Sequence, residues 1–271
     1  MSESELLVDV DGYVATLTIN RPEKRNALNP EIHAGLVKHI DRFADEGEVR
    51  CLIIKGQGDL AFSAGDDLTR RPGQAEPEID PDKRPEMQWP IRRSRHAIFD
   101  APFPVIAMIQ GYCVGGGLAL ASECDMRISA DTGKLGIPPS KLGIIYEYDR
   151  IQTFIDLVGP SFAKELFCTG RTIDAQRALR MGLVNDVVPV EELHDTVYGL
   201  ADELATNAPL SVRGHKHVVN TLVRSRIHGA ELTAEDIAAM LEAQDAARQS
   251  EDANEGRVAF REKRKPVFKG R

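Results

Sequence analysis

Two short segments of this 271-residue sequence are rich in small residues, and each follows directly or closely after an apolar run. The first, at 62–68, reads Phe-Ser-Ala-Gly-Asp-Asp-Leu and follows an apolar run at 51–55, and the second, at 111–117, carries three consecutive glycines and follows a run at 104–109. A strand that ends in glycine leaves backbone N–H groups free and lets another molecule approach the main chain closely. One N–H group from each turn, aimed at a common point, would form an oxyanion hole. Such a site stabilises the oxygen of a thioester as it becomes an enolate.

The glycine triplet could instead bind a phosphate, because N–H groups at the start of a helix favour an anion. A nucleoside-triphosphate loop needs Gly-Lys-Ser/Thr after its glycines, whereas Leu118 follows Gly117 here. The dinucleotide pattern Gly-x-Gly-x-x-Gly also fails, since Leu120 occupies the place of its last glycine. The sequence therefore disfavours nucleotide binding at this turn. A glycine-lined contact between a strand and a helix stays open from this segment alone.

Apolar periodicity predicts the elements that position these turns. Asp11-Gly12 separates two alternating runs, as a hairpin turn does, and Asn29-Pro30 is typical of a helix N-terminus. Residues 70–90 are polar and include five prolines, which indicates either a flap over the site or a surface loop. In the last third, apolar spacing predicts helices at 191–206, 210–226 and 232–248.

Composition favours a cytoplasmic enzyme with a sizeable core. A formal net charge of −8 argues against nucleic acid or an anionic membrane as the main partner. No apolar stretch approaches the ~20 residues that span a bilayer, and the N-terminal residues are acidic where a signal peptide is basic. The four cysteines form no CxxC pair and the histidines show no ligand spacing, so we expect buried free thiols and no metal site.

The two turns, together with the segments 19–28 and 260–265, resemble the crotonase family, also called the enoyl-CoA hydratase/isomerase superfamily, in order and spacing over essentially the whole chain. The resemblance implies an α/β fold: a spiral of repeated ββα units over 1–190 that carries the CoA and acyl sites, and a helical C-terminal region over 191–271 that builds a homotrimer or a hexamer. It also implies an acyl-CoA substrate and no prosthetic group, since coenzyme A enters as part of the substrate.

The resemblance assigns roles to particular residues of this chain. The two oxyanion donors fall on the backbone N–H groups of Asp66 and Gly116. Because the donor at the first position is the main chain, an aspartate is compatible with it provided that the carboxylate points away from the oxyanion. Contacts with coenzyme A fall on five residues, namely Arg25, Ala27, Ala64, Phe260 and Lys263.

The chain departs from the family pattern at both glutamates that activate water in a typical hydratase. Ala119 and Pro139 occupy these positions, and neither side chain can transfer a proton. A placed carboxylate acting as general acid or base contributes ~10²–10⁴-fold to a rate. We therefore expect poor hydration of an ordinary 2-enoyl-CoA.

Tyr146 and Glu147 are the candidates to replace the missing carboxylates. Tyr146 ends a Leu-Gly-x-x-Tyr pattern that is similar to the methylmalonyl-CoA decarboxylase branch, in which the tyrosine would orient a departing carboxylate. Glu147 occupies a position similar to the catalytic aspartate of dienoyl-CoA isomerases, and it could instead be a solvated residue paired with Arg150. The sequence predicts a decarboxylase or other lyase. An enoyl- or dienoyl-CoA isomerase that uses Glu147, and an inactive acyl-CoA-binding subunit, stay open.

Overall fold

A computed structural model describes residues 4–67, 90–228 and 232–271. The segment predicted as a flap or loop, 70–90, lies outside these residues except for Pro90, where a helix begins. The described strands are β1 (Leu6–Asp11), β2 (Val14–Ile19), β3 (Cys51–Gly56), β4 (Ala61–Ser63), β5 (Val105–Ile109), β6 (Tyr112–Val114), β7 (Met126–Ala130), β8 (Lys134–Gly136), β9 (Thr172–Asp174) and β10 (Asp186–Val188). The described α-helices are α1 (Pro30–Glu46), α2 (Pro90–Asp100), α3 (Gly116–Ser122), α4 (Pro139–Leu142), α5 (Tyr148–Thr169), α6 (Ala175–Met181), α7 (Leu193–Thr206), α8 (Pro209–His228), α9 (Ala234–Gln249) and α10 (Glu251–Glu262).

The strands form two sheets, and the chain alternates between them as it passes from one unit to the next. The larger has the order β1-β2-β3-β5-β7-β10 and the smaller the order β4-β6-β8-β9. The strand pairs β3/β4, β5/β6 and β7/β8 each give one strand to each sheet and are each followed by a helix. This confirms the predicted α/β spiral of repeated ββα units.

Local sequence signals explain how the first unit begins. Strands β1 and β2 pair antiparallel with Asp11 opposite Val14, and Gly12 takes a left-handed φ of 54° in the turn between them. The side chain of Asn29 accepts a hydrogen bond of 2.9 Å from the Ile32 N–H and so caps α1. The apolar face of α1 then packs on the sheet. Its buried residues include Ile32, Leu36, Ile40 and Phe43.

Helices dominate the chain after β10, as the periodicity predicts. Helices α7, α8 and α9 agree with the predicted segments to within two residues at each end. The terminal helix α10 lies after the last of the three predicted segments and is additional to them. None of the helices within the described ranges combines the length and the hydropathy needed to cross a bilayer.

Candidate active site

The two glycine-containing turns lie side by side because they follow neighbouring strands. Strands β4 and β6 pair in parallel, so their carboxyl ends meet at one edge of the smaller sheet. The sequence analysis placed the turns directly after the long strands β3 and β5 and missed these three-residue strands. Three residues are too few for an alternating pattern to be read from sequence.

Contacts between the turns are close enough to exclude side chains. A Cβ atom on Gly65 would lie 3.0 Å from the Val114 carbonyl oxygen and 3.2 Å from the Gly116 nitrogen. Gly65 also takes a left-handed φ of 98°, and Gly115, which precedes α3, takes a φ of 56°. Glycine is thus needed at both turns for conformation and for space.

The backbone N–H groups of Asp66 and Gly116 have no acceptor among the described residues. Leu28 forms a parallel bridge with Asp66 through the Gly65 carbonyl, 2.8 Å from the Leu28 nitrogen, and through the Asp67 N–H, 2.7 Å from the Leu28 carbonyl. The Asp66 N–H takes no part in this bridge and faces the other side of the turn. Gly116 is the first residue of α3, where an N–H group has no partner within the helix. Both groups are available to a ligand.

The carboxylate of Asp66 does not point away from this site. Its two oxygens each lie 2.6 Å from the place that a Cβ atom on Gly116 would occupy, so the carboxylate lies over the Gly116 α-carbon. The carboxylate therefore packs against the second turn instead of extending away from it. The reason is local, because the glycine leaves a space that the Asp66 side chain fills.

Tyr146 is packed into the wall of the site, whereas Glu147 lies at its rim. The ring of Tyr146 meets Phe167 edge-on with a centroid distance of 5.9 Å. Burial raises the pKa of the Tyr146 phenol above its ordinary value, Arg150 opposes this shift and Asp66 adds to it. The Glu147 side chain is 44% exposed and precedes α5 as its N-cap residue.

Arg150 is a functional candidate that the sequence analysis considered only as a partner of Glu147. Its side chain is buried, and its guanidinium carbon lies 4.7 Å from the centroid of the Tyr146 ring. Its Nε atom is 3.7 Å from a Glu147 carboxylate oxygen and donates no hydrogen bond within the described chain. A buried guanidinium with an unused donor suits a carboxylate ligand.

An apolar cavity of about 390 Å³ borders Tyr146 on the side of α5. Ile144 and Ile145 form part of its wall, as does Phe167. Cys168 also lines it and is exposed, which contradicts the expectation that all four thiols are buried. The position is at the end of α5, where the helix leaves the core.

Three of the five residues assigned to coenzyme A lie beside the first turn. The Ala64 N–H donates to the Arg25 carbonyl at 2.9 Å, and the Ala27 carbonyl accepts from Arg21 at 2.8 Å. Phe260 and Lys263 lie at the C-terminal end of α10, far along the chain from these residues. Phe260 is 87% exposed, and Lys263 ends the helix with a left-handed φ of 54°.

The positions of the hydratase glutamates hold no proton-transfer group. Ala119 lies buried within α3, and Pro139 lies buried at the start of α4. Within the part of the chain that the structure describes, no group of three or more His, Cys, Asp or Glu side chains could hold a metal ion.

Comparison with known proteins identifies the family. The model of the family described as "Enoyl-CoA hydratase/isomerase" matches residues 9–271. Carnitinyl-CoA dehydratase of Escherichia coli (strain K12) is 35% identical over 272 residues, which cover all of both chains. A crystal structure of an enoyl-CoA hydratase/carnithine racemase from Magnetospirillum magneticum superposes with a TM-score of 0.86 at 32% identity and covers 100% of this chain and 97% of that one. An enoyl-CoA hydratase from Bacillus anthracis gives a TM-score of 0.86 at 31% identity, covering 99% and 100%. The chain belongs to the enoyl-CoA hydratase/isomerase family, within the crotonase superfamily.

Proposed function

We propose that this acyl-CoA enzyme decarboxylates a thioester that carries a carboxylate on its α-carbon. The observation that carries the proposal is the pair formed by Tyr146 and Arg150 in the wall of the site. A phenol hydroxyl and a guanidinium are both hydrogen-bond donors, and the guanidinium adds a positive charge. Together they suit a substrate carboxylate better than they suit water or a plain alkyl chain.

Decarboxylation needs few groups from the protein. The bond between the α-carbon and the carboxylate breaks, CO₂ leaves, and the electron pair moves into the thioester to form an enolate. The backbone N–H groups of Asp66 and Gly116 would hold the enolate oxygen, which is where the negative charge develops. Preorganised donors of this kind are worth ~10²–10³-fold in rate each. A proton must then reach the α-carbon to complete the acyl-CoA product.

Hydration has less support in this chain. The two positions from which water would be activated hold Ala119 and Pro139. Isomerisation through Glu147 also has less support, because that carboxylate is 44% exposed.

The test is to incubate the purified protein with malonyl-, methylmalonyl-, crotonyl- and dienoyl-CoA and to identify products by mass spectrometry. The proposal expects loss of CO₂ from at least one of the first two, and little hydration of crotonyl-CoA. Tyr146→Phe should reduce decarboxylation by at least tenfold, and Glu147→Gln should reduce it by less than threefold.

Other outcomes would replace the proposal. Turnover of dienoyl-CoA that Glu147→Gln abolishes would make the protein an isomerase. Binding of acyl-CoA esters without any product would make it a binding subunit. Tyr146→Phe keeps the ring packed on Phe167 and removes only the hydroxyl.

A further inference from the structure

A chain of three polar side chains runs from the core to the oxyanion turns. The Nδ1 atom of His33, on α1, lies 2.7 Å from the Ser94 hydroxyl oxygen, on α2. The Nε2 atom on the opposite side of the ring lies 3.9 Å from the Oδ1 atom of Asp66. The His33 side chain is 3% exposed and the Asp66 side chain 34%. The chain therefore begins in the core and ends in the site.

The facing atoms of His33 and Asp66 are both buried and lack a hydrogen-bond partner among the described residues. A buried polar atom without a partner costs about 1–3 kcal/mol, so two that face one another call for an explanation. The Asp66 carboxylate is partly exposed although its Oδ1 is covered. Both carboxylate oxygens lie against Gly116, which carries the second proposed oxyanion donor, each 2.6 Å from the place of a Cβ atom there.

The hydrogen bonds of Ser94 indicate that no proton lies between His33 Nε2 and Asp66 Oδ1 when the imidazole is neutral. The Ser94 hydroxyl donates its single hydrogen to the Ile91 carbonyl at 2.9 Å, and that oxygen can only accept. The Ser94 oxygen is then an acceptor, and His33 must donate to it from Nδ1. In a neutral imidazole this leaves a lone pair on Nε2, facing a carboxylate oxygen that also has only lone pairs. One additional proton on the pair would replace this contact between lone pairs by an attraction across the 3.9 Å that separates the two atoms.

We propose that the Asp66 carboxyl is the proton-transfer group for the α-carbon of the substrate, and that His33, held by Ser94, positions it and stores its proton. This inference rests on the enolate chemistry of the proposed function. It assigns a second role to Asp66, since the backbone N–H of the same residue holds the oxyanion.

The proton and charge balance is complete without another reactant. With one additional proton the pair is neutral, either as carboxylate and imidazolium or as carboxylic acid and imidazole. When the proton is on the carboxyl, it passes to the α-carbon; the enolate electron pair forms the new C–H bond and the thioester C=O is restored. The pair is left with one negative charge, which the substrate no longer carries. Solvent returns the proton.

The same balance explains how a carboxyl group can lie beside an oxyanion hole. An ionised Asp66 alone would repel both the enolate and a substrate carboxylate, because like charges a few ångströms apart disfavour one another strongly at a partly buried site. A neutral Asp66–His33 pair removes this repulsion while the substrate is negative. The pair becomes negative only as the substrate becomes neutral.

Exchange of α-protons tests this role separately from decarboxylation. A saturated thioester such as propionyl-CoA has no carboxylate to lose, and its enolate forms only if a protein group removes the α-proton. Incubation in D₂O with mass spectrometry should show deuterium entering the α-carbon with the unaltered protein. Asp66→Asn, which keeps the backbone N–H and nearly the same shape, should reduce the exchange rate by at least ~10²-fold.

His33 needs readouts that a purely structural role would not change. His33→Gln can still donate toward Asp66 but cannot ionise, and it should lower kcat for exchange with little change in KM. Ser94→Ala, which keeps the imidazole, should give a smaller loss of kcat. His39→Gln is the matched control, because this second histidine of α1 contacts Phe43 instead. It should leave exchange within twofold of the unaltered protein.

The outcomes separate this inference from the proposed function. Exchange that persists in both Asp66→Asn and His33→Gln, or no exchange with the unaltered protein, would overturn the proton-transfer role whatever the result with malonyl-CoA. Exchange that depends on Asp66, without decarboxylation of any carboxylated thioester, would support this role and overturn only the decarboxylase. Circular dichroism of each variant identifies any loss of exchange that comes from misfolding, and Ser94→Ala then supplies the test if His33→Gln fails to fold.

Discussion

The guanidinium of Arg150 lies against the ring of Tyr146, with its central carbon 4.7 Å from the ring centroid. This contact joins the loop after α4 to the first turn of α5. It orients a buried cation toward a residue of the acyl site. The Nε atom of this cation lies 3.7 Å from the carboxylate of Glu147, whose side chain is 44% exposed. A cation over an aromatic face gains about 0.5–2 kcal/mol, depending on how far water is excluded. The pair is thus held in place before any substrate enters.

Replacement of Arg150 tests whether this cation binds substrate or only packs. We expect Arg150→Gln to raise KM for a carboxylated acyl-CoA by at least tenfold, because a charge-assisted hydrogen bond contributes about 1.5–3 kcal/mol. Binding of acetyl-CoA, which has no carboxylate, should change by less than threefold. Steady-state kinetics with the carboxylated thioester and isothermal titration with acetyl-CoA make the comparison. Equal losses for the two ligands would mean that Arg150 acts through packing alone.

An added methyl group should have different effects at the two neighbouring glycines of the second turn, Gly116 and Gly117. We expect it to reduce mainly stability at Gly117 and mainly turnover at Gly116. A Cβ atom on Gly117 would meet the Ser63 Cβ atom at 2.6 Å and the Ser63 carbonyl oxygen at 2.7 Å, whereas the three atoms nearest to one on Gly116 all belong to the Asp66 carboxylate. Backbone cannot move aside, so Gly117→Ala should cost about 1–3 kcal/mol of stability. A carboxylate can rotate, so Gly116→Ala should cost less than about 1 kcal/mol and still reduce turnover at least tenfold.

Urea denaturation and a turnover assay on the two variants check this prediction. A stability loss in Gly116→Ala as large as that in Gly117→Ala would place a rigid group over Gly116 in place of the Asp66 side chain. Full activity in Gly116→Ala would mean that the position of this carboxylate does not affect the chemistry.

The sequence predicted the elements whose signals are local. The Asn29 cap and the hairpin at Gly12 each depend on residues within a few positions of one another, and the order and spacing of four short segments were enough to identify the family. The short strands β4 and β6 could not be read, because their stability comes from pairing with each other rather than from a pattern of their own.

The details of the site depend on contacts between residues that are distant in the chain. His33 and Asp66 are on different elements, and nothing near either residue indicates that the side chains face one another. The same holds for the direction of the Asp66 carboxylate, which is set by the space above Gly116. The position of Asp66 in the sequence was enough to predict its backbone N–H as a donor. The orientation of its carboxylate depends on the contact with Gly116, which only the folded structure shows.

Thiol chemistry provides a test of the core that does not depend on function. Cys51, Cys113 and Cys124 are buried and Cys168 is exposed. Burial raises the pKa of Cys51 and of Cys124 to about 12 each, so neither forms the reactive thiolate near neutral pH. Titration with a chromogenic disulfide reagent at pH 8 should find one reactive thiol in the native protein and four in guanidinium chloride.

The same pKa shift predicts how stability depends on alkaline pH. The folded pKa of Cys51 is about 12, above the ordinary value of 9.0, so the unfolded chain releases this proton at lower pH than the native protein. Stability is therefore unaffected below about pH 9 and falls between there and about pH 12. Thermal unfolding in this range should show a declining Tm, and Cys51→Ala should make the decline shallower. Equal slopes for the two proteins would contradict the assigned burial.

The ion pair of Arg95 and Glu123 links α2 to the end of α3, next to the elements that carry Ser94 and Gly116. The Nε atom of Arg95 donates to a Glu123 oxygen at 2.7 Å, and the two side chains are 8% and 7% exposed. Removal of Glu123 leaves the buried Arg95 guanidinium with a longer contact, 3.9 Å to an Asp149 oxygen, and breaking a buried pair in this way costs about 3–5 kcal/mol. We therefore expect Glu123→Ala to lower the free energy of unfolding by that amount.

Asp100→Ala is the matched control, because its ion pair with Arg224 is roughly half exposed on both sides and should change stability by less than about 1 kcal/mol. Urea titrations of both variants decide the question. Similar small losses in Glu123→Ala and Asp100→Ala would mean that water reaches Arg95. The support for α2, and so for the position of Ser94, would then come from the packing of α1 against α2 and not from this ion pair.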